Sequence, residues 1–554
     1  MLILNEDEKD CEILIKLENL KLLPGSSRAV LENEVLRLLK IQRSDLKALL
    51  ILRRSVDARE EVRMVYTVAA EVRGESAVLR RARSQKISRY TPPEAYRPPA
   101  PPVRLPARPP IVVGAGPAGL FCALILAQAG LHPIVLEQGR PVERRAEDVE
   151  RFWSGGELDP FSNVQFGEGG AGAFSDGKLN TGTKDLRHRW ILEQLVACGA
   201  PEEILIDAKP HVGTDYLHIA LIGLRSRLRA LGAELRFETR LCDLSVSEGV
   251  LRGAVVRGSD GSLQTLPCSA LVLAPGHSAR ETFDLLYRRG IALEPKAFSV
   301  GVRVEHRQSD IDAAQYRQYA GHPGLPVSSY KLSCHLPSGR AVYSFCVCPG
   351  GEVVAAASER ARLVTNGMSA FARDRVNING ALLVSVTPAD FGGDGPLAGI
   401  AFQRRLEEAA FRMGGSDYRA PCQRVEDFLA RRPSAGPGRV QPSYRPGVRY
   451  ADLHSCLPDF VSEALEQALP LLGRRLAGYD APDALMTAVE TRSSSPVRIL
   501  RGPDGQASLP GLFPCGEGAG YAGGILSAAA DGMRTAEAVL RTLCSYQEVR
   551  FYAA

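Results

Sequence analysis

Several features that would narrow the function of this 554-residue chain are missing. It has no run of about 18 uncharged apolar residues that lacks a better reading, so no helical membrane span is expected. The first ten residues, Met1–Asp10, are too acidic for a secretory signal. Both absences point to the cytoplasm. Neither sign of charge is in large excess. The 68 Lys and Arg against 63 Asp and Glu leave a net charge of +5, which does not demand nucleic acid. The twelve cysteines are scattered without a disulfide-like framework and read as reduced, mostly buried thiols. No Cys/His cluster has zinc spacing, so no metal is expected. What remains is a chain with 45% apolar residues. That is ordinary for a soluble globular protein, and the length suits two or three domains.

The most informative stretch is Pro110–Gly139. A short apolar run, Ile111–Val113, reads as a buried strand. Gly114, Gly116 and Gly119 follow in G-x-G-x-x-G register, with Pro117 and Ala118 between them. An apolar helix runs to about Gln128, and a second strand, Pro133–Leu136, ends on Glu137 and Gln138. A bare glycine motif is weak evidence, but this one sits in the full β-α-β context of a dinucleotide site. Gly114 permits the tight turn, and Gly116 lets backbone approach a pyrophosphate at the helix N-terminus. Gly119 lets helix and strand pack closely, and Glu137 is placed to accept from a ribose hydroxyl.

Residues 1–75 read as a small α+β module. Glu12–Leu17 alternates like a strand. Ser26 or Ser27 is placed to cap a helix to about Lys40. Leu46–Arg53 and Val62–Val72 read as a hairpin. The module is expected to be a cap on the main body, with recognition of a protein partner or an RNA as the sharper alternative. Residues 76–107, with Arg80-Arg81-Ala-Arg83 and a proline-rich end, read as an extended linker. Residues 108–295 form the first part of the dinucleotide domain. They include a charged helix to about Trp153 and the glycine-rich stretch Phe166–Thr181. There Gly169, Gly170 and Ala171 leave backbone N–H groups free for a second cradle, for a ring system or the pyrophosphate. A helix over Asp215–Leu231, a β-meander and a buried strand ending at Gly276 complete this part. Residues 296–480 read as an inserted substrate domain with strands Phe298–Val304, Val327–Leu332, Arg340–Cys346, Val353–Ala357 and Leu383–Val386. Helices are expected over Ile400–Arg412 and Asp459–Leu476. Cys346 and Cys348 fall on one strand face, with Cα atoms about 6.6 Å apart. That spacing is near the upper limit for a disulfide, so a mutual bridge would be strained; structural thiols are the default reading, and a redox role is the alternative. In 481–554 a strand ends at Gly516-Glu517. A small-residue helix then begins near Gly523, Gly524 and Ile525, where its N-terminus is placed to present N–H groups to a bound ring system.

With Val112–Gly119, Glu137, Gly167–Thr181, Leu271–Gly276, Cys346–Gly351, Thr491–Arg498 and Pro514–Asp531 in view, the chain resembles the glutathione-reductase-like, two-dinucleotide-fold flavoproteins. More narrowly, it resembles a bacterial family of FAD-dependent dehydrogenases with a small N-terminal domain. It is similar at greater distance to thiazole-synthase-like and tRNA-modifying flavoproteins. The resemblance covers about 108–540. It implies an α/β fold with a Rossmann-type domain, and FAD held by Gly114, Gly116, Gly119 and Glu137 at the adenosine end. Glu517 would lie nearer the flavin. Many relatives carry aspartate there, so this chain departs from the pattern at that contact.

The expected activity is that of an FAD-dependent oxidoreductase transferring a hydride to or from a small molecule, because FAD carries the electrons and the protein supplies position. The alternative is a flavin-binding RNA-modification or partner-binding factor that uses the N-terminal module. Only one dinucleotide fingerprint exists, so a full nicotinamide domain is not expected, and NADH or NADPH is left as a candidate transient donor over the flavin. The Cys-x-x-x-x-Cys pair of disulfide reductases is also absent after the first helix. Candidate catalytic groups are Lys178, Glu490 and Arg492, with Ser493–Ser495 beside them. Arg492 holds a substrate carboxylate or phosphate in one reading. In the other it pairs with Glu490 or an FAD phosphate. His277 is a candidate acid by position alone.

Overall fold

The computed structural model describes residues 14–82 and 84–551, with side chains through 544. The readings placed on Met1–Asp10, Glu12 and Arg83 lie outside the described residues.

The N-terminal module is an antiparallel sheet of Leu14–Leu22, Leu46–Asp57, Arg63–Val72 and Ile87–Tyr90, with Leu14–Leu22 between the last two. The helix Arg28–Leu39 lays Leu31, Val35 and Leu39 on the sheet. Ser27 stands at its N-cap without a side-chain capping bond, and left-handed Lys40 ends it. The domain boundary differs from the sequence expectation. The expected linker first adds a helix, Glu75–Arg81, and then the edge strand Ile87–Tyr90. That strand has an apolar residue, Ile87, packed against the module's core, and its backbone needs a ladder partner that Leu14–Leu17 supplies. Arg54 docks the module on the body. It binds Asp207 at 2.6 Å through its guanidinium, and its backbone pairs with Ile206 and Ala208.

The dinucleotide domain is built on a five-stranded sheet ordered Leu512–Pro514, Leu271–Leu273, Ile111–Val113, Ile134–Leu136, Glu234–Arg236, and every neighbour is parallel. A parallel sheet must be covered on both faces. Alternate residues meet that demand. Val112, Val135, Val272 and Phe513 face the helices Pro117–Gln128, Gly213–Ala230 and Ile525–Phe551. Ile111, Val113, Leu136, Leu271, Leu273 and Leu512 face the meander Arg240–Ser247, Val250–Arg257, Leu263–Pro267 and the helix Arg280–Arg288. The helices Pro117–Gln128 and Ile525–Phe551 touch closely. A Cβ on Gly532 would lie 2.0 Å from the carbonyl oxygen of Ala118.

The second large unit is a seven-stranded sheet ordered Ser333–His335, Ala341–Cys348, Asn377–Val386, Phe298–Arg307, Leu485–Glu490, Ala420–Arg424, Val448–Tyr450. Two expectations change here. Val327–Leu332 is not a strand; the edge strand begins at Ser333. Leu485–Glu490, placed by the sequence reading in the second dinucleotide part, is fully buried inside this sheet between Phe298–Arg307 and Ala420–Arg424. The sheet therefore ends where Thr491 enters the dinucleotide domain, and Glu490 stands at that junction.

Candidate functional site

A cavity of about 350 Å³ runs between the two sheets. One end is formed by Glu137, Gln138 and the first meander residues, Thr239–Leu241. Its middle is formed by Gly114, Gly116, Pro117 and Ala118 on one side and Gly170–Gly172 on the other. Its far end is formed by Lys178, Asn180, Phe345, Cys346, Asn366 and Glu490, with Glu517 and Gly523–Ile525 closing it.

The glycines divide into two groups with different work. Gly114, at φ +100, has a Cβ position 2.1 Å from the carbonyl of Ala274, and that of Gly119 is 1.8 Å from the carbonyl of Gly114. These hold the turn and the helix against their neighbours. At Gly116 a Cβ would come no nearer than 3.9 Å to the Cα of Gly170, and at Gly276, Gly523 and Gly524 nothing lies within 4 Å. These line the cavity, and added side chains there would occupy space left for a ligand. Gly119, Gly169 and Gly516, expected among the contacts, lie behind the wall instead. A Cβ on Gly169 would meet Leu221 at 2.4 Å, and one on Gly516 would meet Ala118 at 2.6 Å.

The helix Pro117–Gln128 starts with Gly116 at its N-cap, no side-chain cap and no acid in its first turn. Its first N–H groups and its dipole are left for an anion. Glu137 is more occupied than the sequence reading requires. Its carboxylate accepts from the backbone of Ala115, Gly139 and Gly167 at 2.9, 2.9 and 3.0 Å. It therefore joins the phosphate turn to the second glycine loop, and a ribose contact would be additional. Buried Arg145 ties the same loop down through the carbonyls of Asn163, Val164 and Glu168.

At the far end the charged candidates separate. Glu490 is buried and pairs with Arg303 at 3.1 Å. Burial outweighs that attraction and pushes its carboxyl up to about 7. Glu517 also rises to about 7 through burial, against the pull of Lys296. Lys178 lines the cavity and pairs with Asp176 at 3.0 Å. Asp176 is held in turn by Arg373 and Ser369. Arg492 is corrected in role. Its guanidinium is bidentate to buried Glu407 at 2.9 and 2.8 Å and donates to Ser278 and Ser358. It lines the cavity but does not pair with Glu490; its guanidinium clamps the helix Ala398–Gly414 to the junction. His277 lines the cavity but is pushed down to about 3 by burial and by Arg492 and Arg280. Neutral near pH 7, it brings a ring N–H but no positive charge to the cavity.

Sequence reasoning missed Thr239–Leu241, Asn366 and Phe345, which reach the cavity only through chain crossings, whereas Asn180 comes from the glycine-rich stretch that the sequence singles out. The arrangement defines a dinucleotide flavoprotein: a pyrophosphate cradle, an open second glycine loop, and a small chamber of ionisable groups. The comparisons agree. An FAD binding domain model matches residues 110–176, a model described as "FAD-dependent protein, C-terminal domain-like" matches 297–493, and a domain of unknown function matches 14–73. A protein of Clostridium beijerinckii described as "Uncharacterized protein" is 44% identical over 530 residues, covering 95% of this chain and 98% of its own length. The chain belongs to the family of that protein. FAD is its cofactor. Among solved structures, the flavin-dependent brominase Bmp2 matches at 14% identity, covering 78% of this chain and 79% of its own, with TM-score 0.36. A geranylgeranyl bacteriochlorophyll reductase-like protein from Thermoplasma acidophilum matches at 13%, covering 79% of each chain, with TM-score 0.37. No helix among the described residues is long and apolar enough to cross a membrane.

Proposed function

We propose that the protein is a FAD-dependent oxidoreductase of the glutathione-reductase-like group. It passes a hydride between FAD and a small molecule seated in the chamber of Lys178, Asn366, Cys346 and Glu490. The observation that carries this reading is the continuity of one cavity from the helix N-terminus at Gly116 to that chamber. The residues fit the cofactor. Gly116, Gly276, Gly523 and Gly524 leave its space open, and the uncapped helix start suits its pyrophosphate. When bound, FAD supplies two-electron chemistry.

The chain's own residues do the rest. Lys178 places a positive charge at the chamber, suited to a carboxylate or to charge developing on a reacting oxygen. Glu490, titrating near neutrality, is able to hold or release a proton at its carboxyl oxygen. The buried junction of Arg492 and Glu407 keeps the two sheets in register around the chamber. NADH or NADPH is the proposed transient donor. The Arg54–Asp207 docking supports the N-terminal module as a cap on the body, with a protein partner as its further proposed role.

The test is spectroscopic. The purified protein should be yellow and should bleach anaerobically with NADH or NADPH. A colourless protein that reconstitution with FAD leaves colourless refutes the reading. A yellow protein that neither nucleotide bleaches refutes the donor alone.

A further inference from the structure

One built part of the chamber is unused by this mechanism: the wall at Cys346 and Cys348. The strand Ala341–Cys348 pairs regularly with Asn377–Val386 as far as Phe345 opposite Ala381. Pairing resumes at Cys348 opposite Asn379, one residue out of step. The extra residue is taken up in a bulge, where Cys346 adopts φ +40. A cysteine holds that left-handed conformation only where its surroundings impose it. The surroundings are specific. Fully buried Arg303 donates through Nη2 to the Cys346 carbonyl at 2.8 Å, and the same nitrogen lies 3.5 Å from Cys348 Sγ. Cys348 Sγ also donates to the Cys346 carbonyl, at 3.3 Å. Gly367 makes room for this guanidinium, since a Cβ there would lie 1.9 Å from Nη2.

The bulge changes what the spacing alone implies. On a regular strand both thiols would stand on one face. Here Cys346 lines the cavity, half-buried, while Cys348 is fully buried. The neighbouring Cys348 thiol, together with Lys178 and Arg303, holds Cys346 below the ordinary thiol range against the effect of burial, and burial pushes Cys348 above it. An accessible thiol with thiolate character beside a buried one is the arrangement of an attacking and a resolving cysteine.

We propose that Cys346 and Cys348 are a dithiol/disulfide pair that exchanges two electrons with the flavin and with a thiol or disulfide substrate entering the same chamber. The proposal rests on the flavoprotein reading. In the direction of substrate reduction, the Cys346–Cys348 disulfide takes two electrons and one proton from the reduced flavin. The S–S bond breaks, Cys346 is left as thiolate and Cys348 as thiol. Cys346 then attacks a substrate disulfide and releases one substrate thiolate. Cys348, losing its proton to solvent, attacks the Cys346 sulfur, releases the second thiolate and re-forms the disulfide. The flavin is oxidised once, one substrate disulfide is reduced once, and the pair returns to its starting state.

The test counts electrons on the full-length holoprotein. After oxidation with diamide and desalting, anaerobic dithionite titration should consume four electrons per flavin in the native protein. Cys346→Ser and Cys348→Ser should each consume two, a twofold drop, with the visible flavin band retained. In the oxidised native protein, peptide mass spectrometry should find the Cys346–Cys348 cross-link, and that measurement stands even where a serine variant fails to fold. Treated with the aromatic disulfide DTNB after reduction, Cys348→Ser should retain a mixed disulfide at Cys346 that the native protein resolves. Uptake of two electrons by the native protein, without a cross-link, overturns the pair and leaves the flavin reading intact. A native protein that keeps the DTNB adduct on Cys346 overturns the resolving role. Failure to hold FAD at all overturns the flavin reading instead.

Discussion

Replacing Gly116 with valine separates the cofactor cradle from the fold that carries it. Gly116 has φ −77 and ψ −179, which any residue adopts, and its Cβ position points into open cavity with the nearest atom 3.9 Å away. The folded apoprotein should therefore tolerate Gly116→Val within about 0.5 kcal/mol, as for a substitution that meets no neighbour. The ligand should not. Two methyl groups would stand where the backbone must approach a pyrophosphate. A 100-fold loss of FAD affinity corresponds to about 2.7 kcal/mol. At FAD concentrations 100 times the native Kd, the native protein gains about 2.7 kcal/mol from binding. For a domain of this size that is on the order of 5–10 °C in Tm. Thermal melts with and without FAD measure both quantities at once. The apo Tm should match the native protein, and the FAD-induced rise should shrink to about 0.4 kcal/mol, roughly a sixth of the native shift. Gly119→Ala serves as the contrast, because its Cβ would lie 1.8 Å from a backbone oxygen; there the apo Tm itself should fall. A Gly116→Val protein with an undiminished FAD shift would refute the placement of the pyrophosphate.

The other predictions concern the chamber and its frame. Arg492→Met strands buried Glu407 with only Thr491 and the more distant Arg280; chemical denaturation should show a loss of about 3–5 kcal/mol, and an unchanged midpoint would mean that the clamp is not formed. Glu490 titrates at about 7 in the folded chain against an ordinary value of 4.5. Its contribution to stability is thus complete below pH 4.5 and declines as pH rises through 7. Glu490→Gln should flatten that decline, and should remove an inflection near pH 7 from the rate of anaerobic flavin reduction. In the reduced protein, iodoacetamide followed by peptide mapping should modify Cys346 well before Cys348, since one lines the cavity and the other is fully buried; equal labelling would contradict the bulge geometry.

Much of the dinucleotide half was legible in the chain because its signals are local. A strand, a glycine turn, a buried helix and a second strand occupy thirty consecutive residues, and Ile111–Val113 and Ile134–Leu136 indeed lie side by side. The meander and the return strand were readable for the same reason. The failures are equally physical. Leu485–Glu490 reads as part of whatever follows it, and only its ladder with Phe298–Arg307 shows which sheet owns it. Ile87–Tyr90 sits in a basic, proline-flanked stretch, and its partner is more than sixty residues earlier.

The chemistry-bearing residues follow the same division. Gly116 and the apolar helix after it announce an anion site by themselves, because helix dipole and backbone N–H groups belong to one short segment. The fate of Arg492 could not be read that way. Its partners, Glu407, Ser278 and Ser358, arrive from three distant stretches, and burial alone makes the match obligatory. The two cysteines state the contrast most sharply. Their spacing predicted two side chains on one face. The tertiary structure inserted a bulge, braced it with Arg303 reaching across from the strand beyond Asn377–Val386, and left one thiol in the cavity and the other behind it. Local periodicity determined that a dinucleotide would be held; long-range packing, which alone decides what is buried and beside what charge, determined the chamber in which it would react.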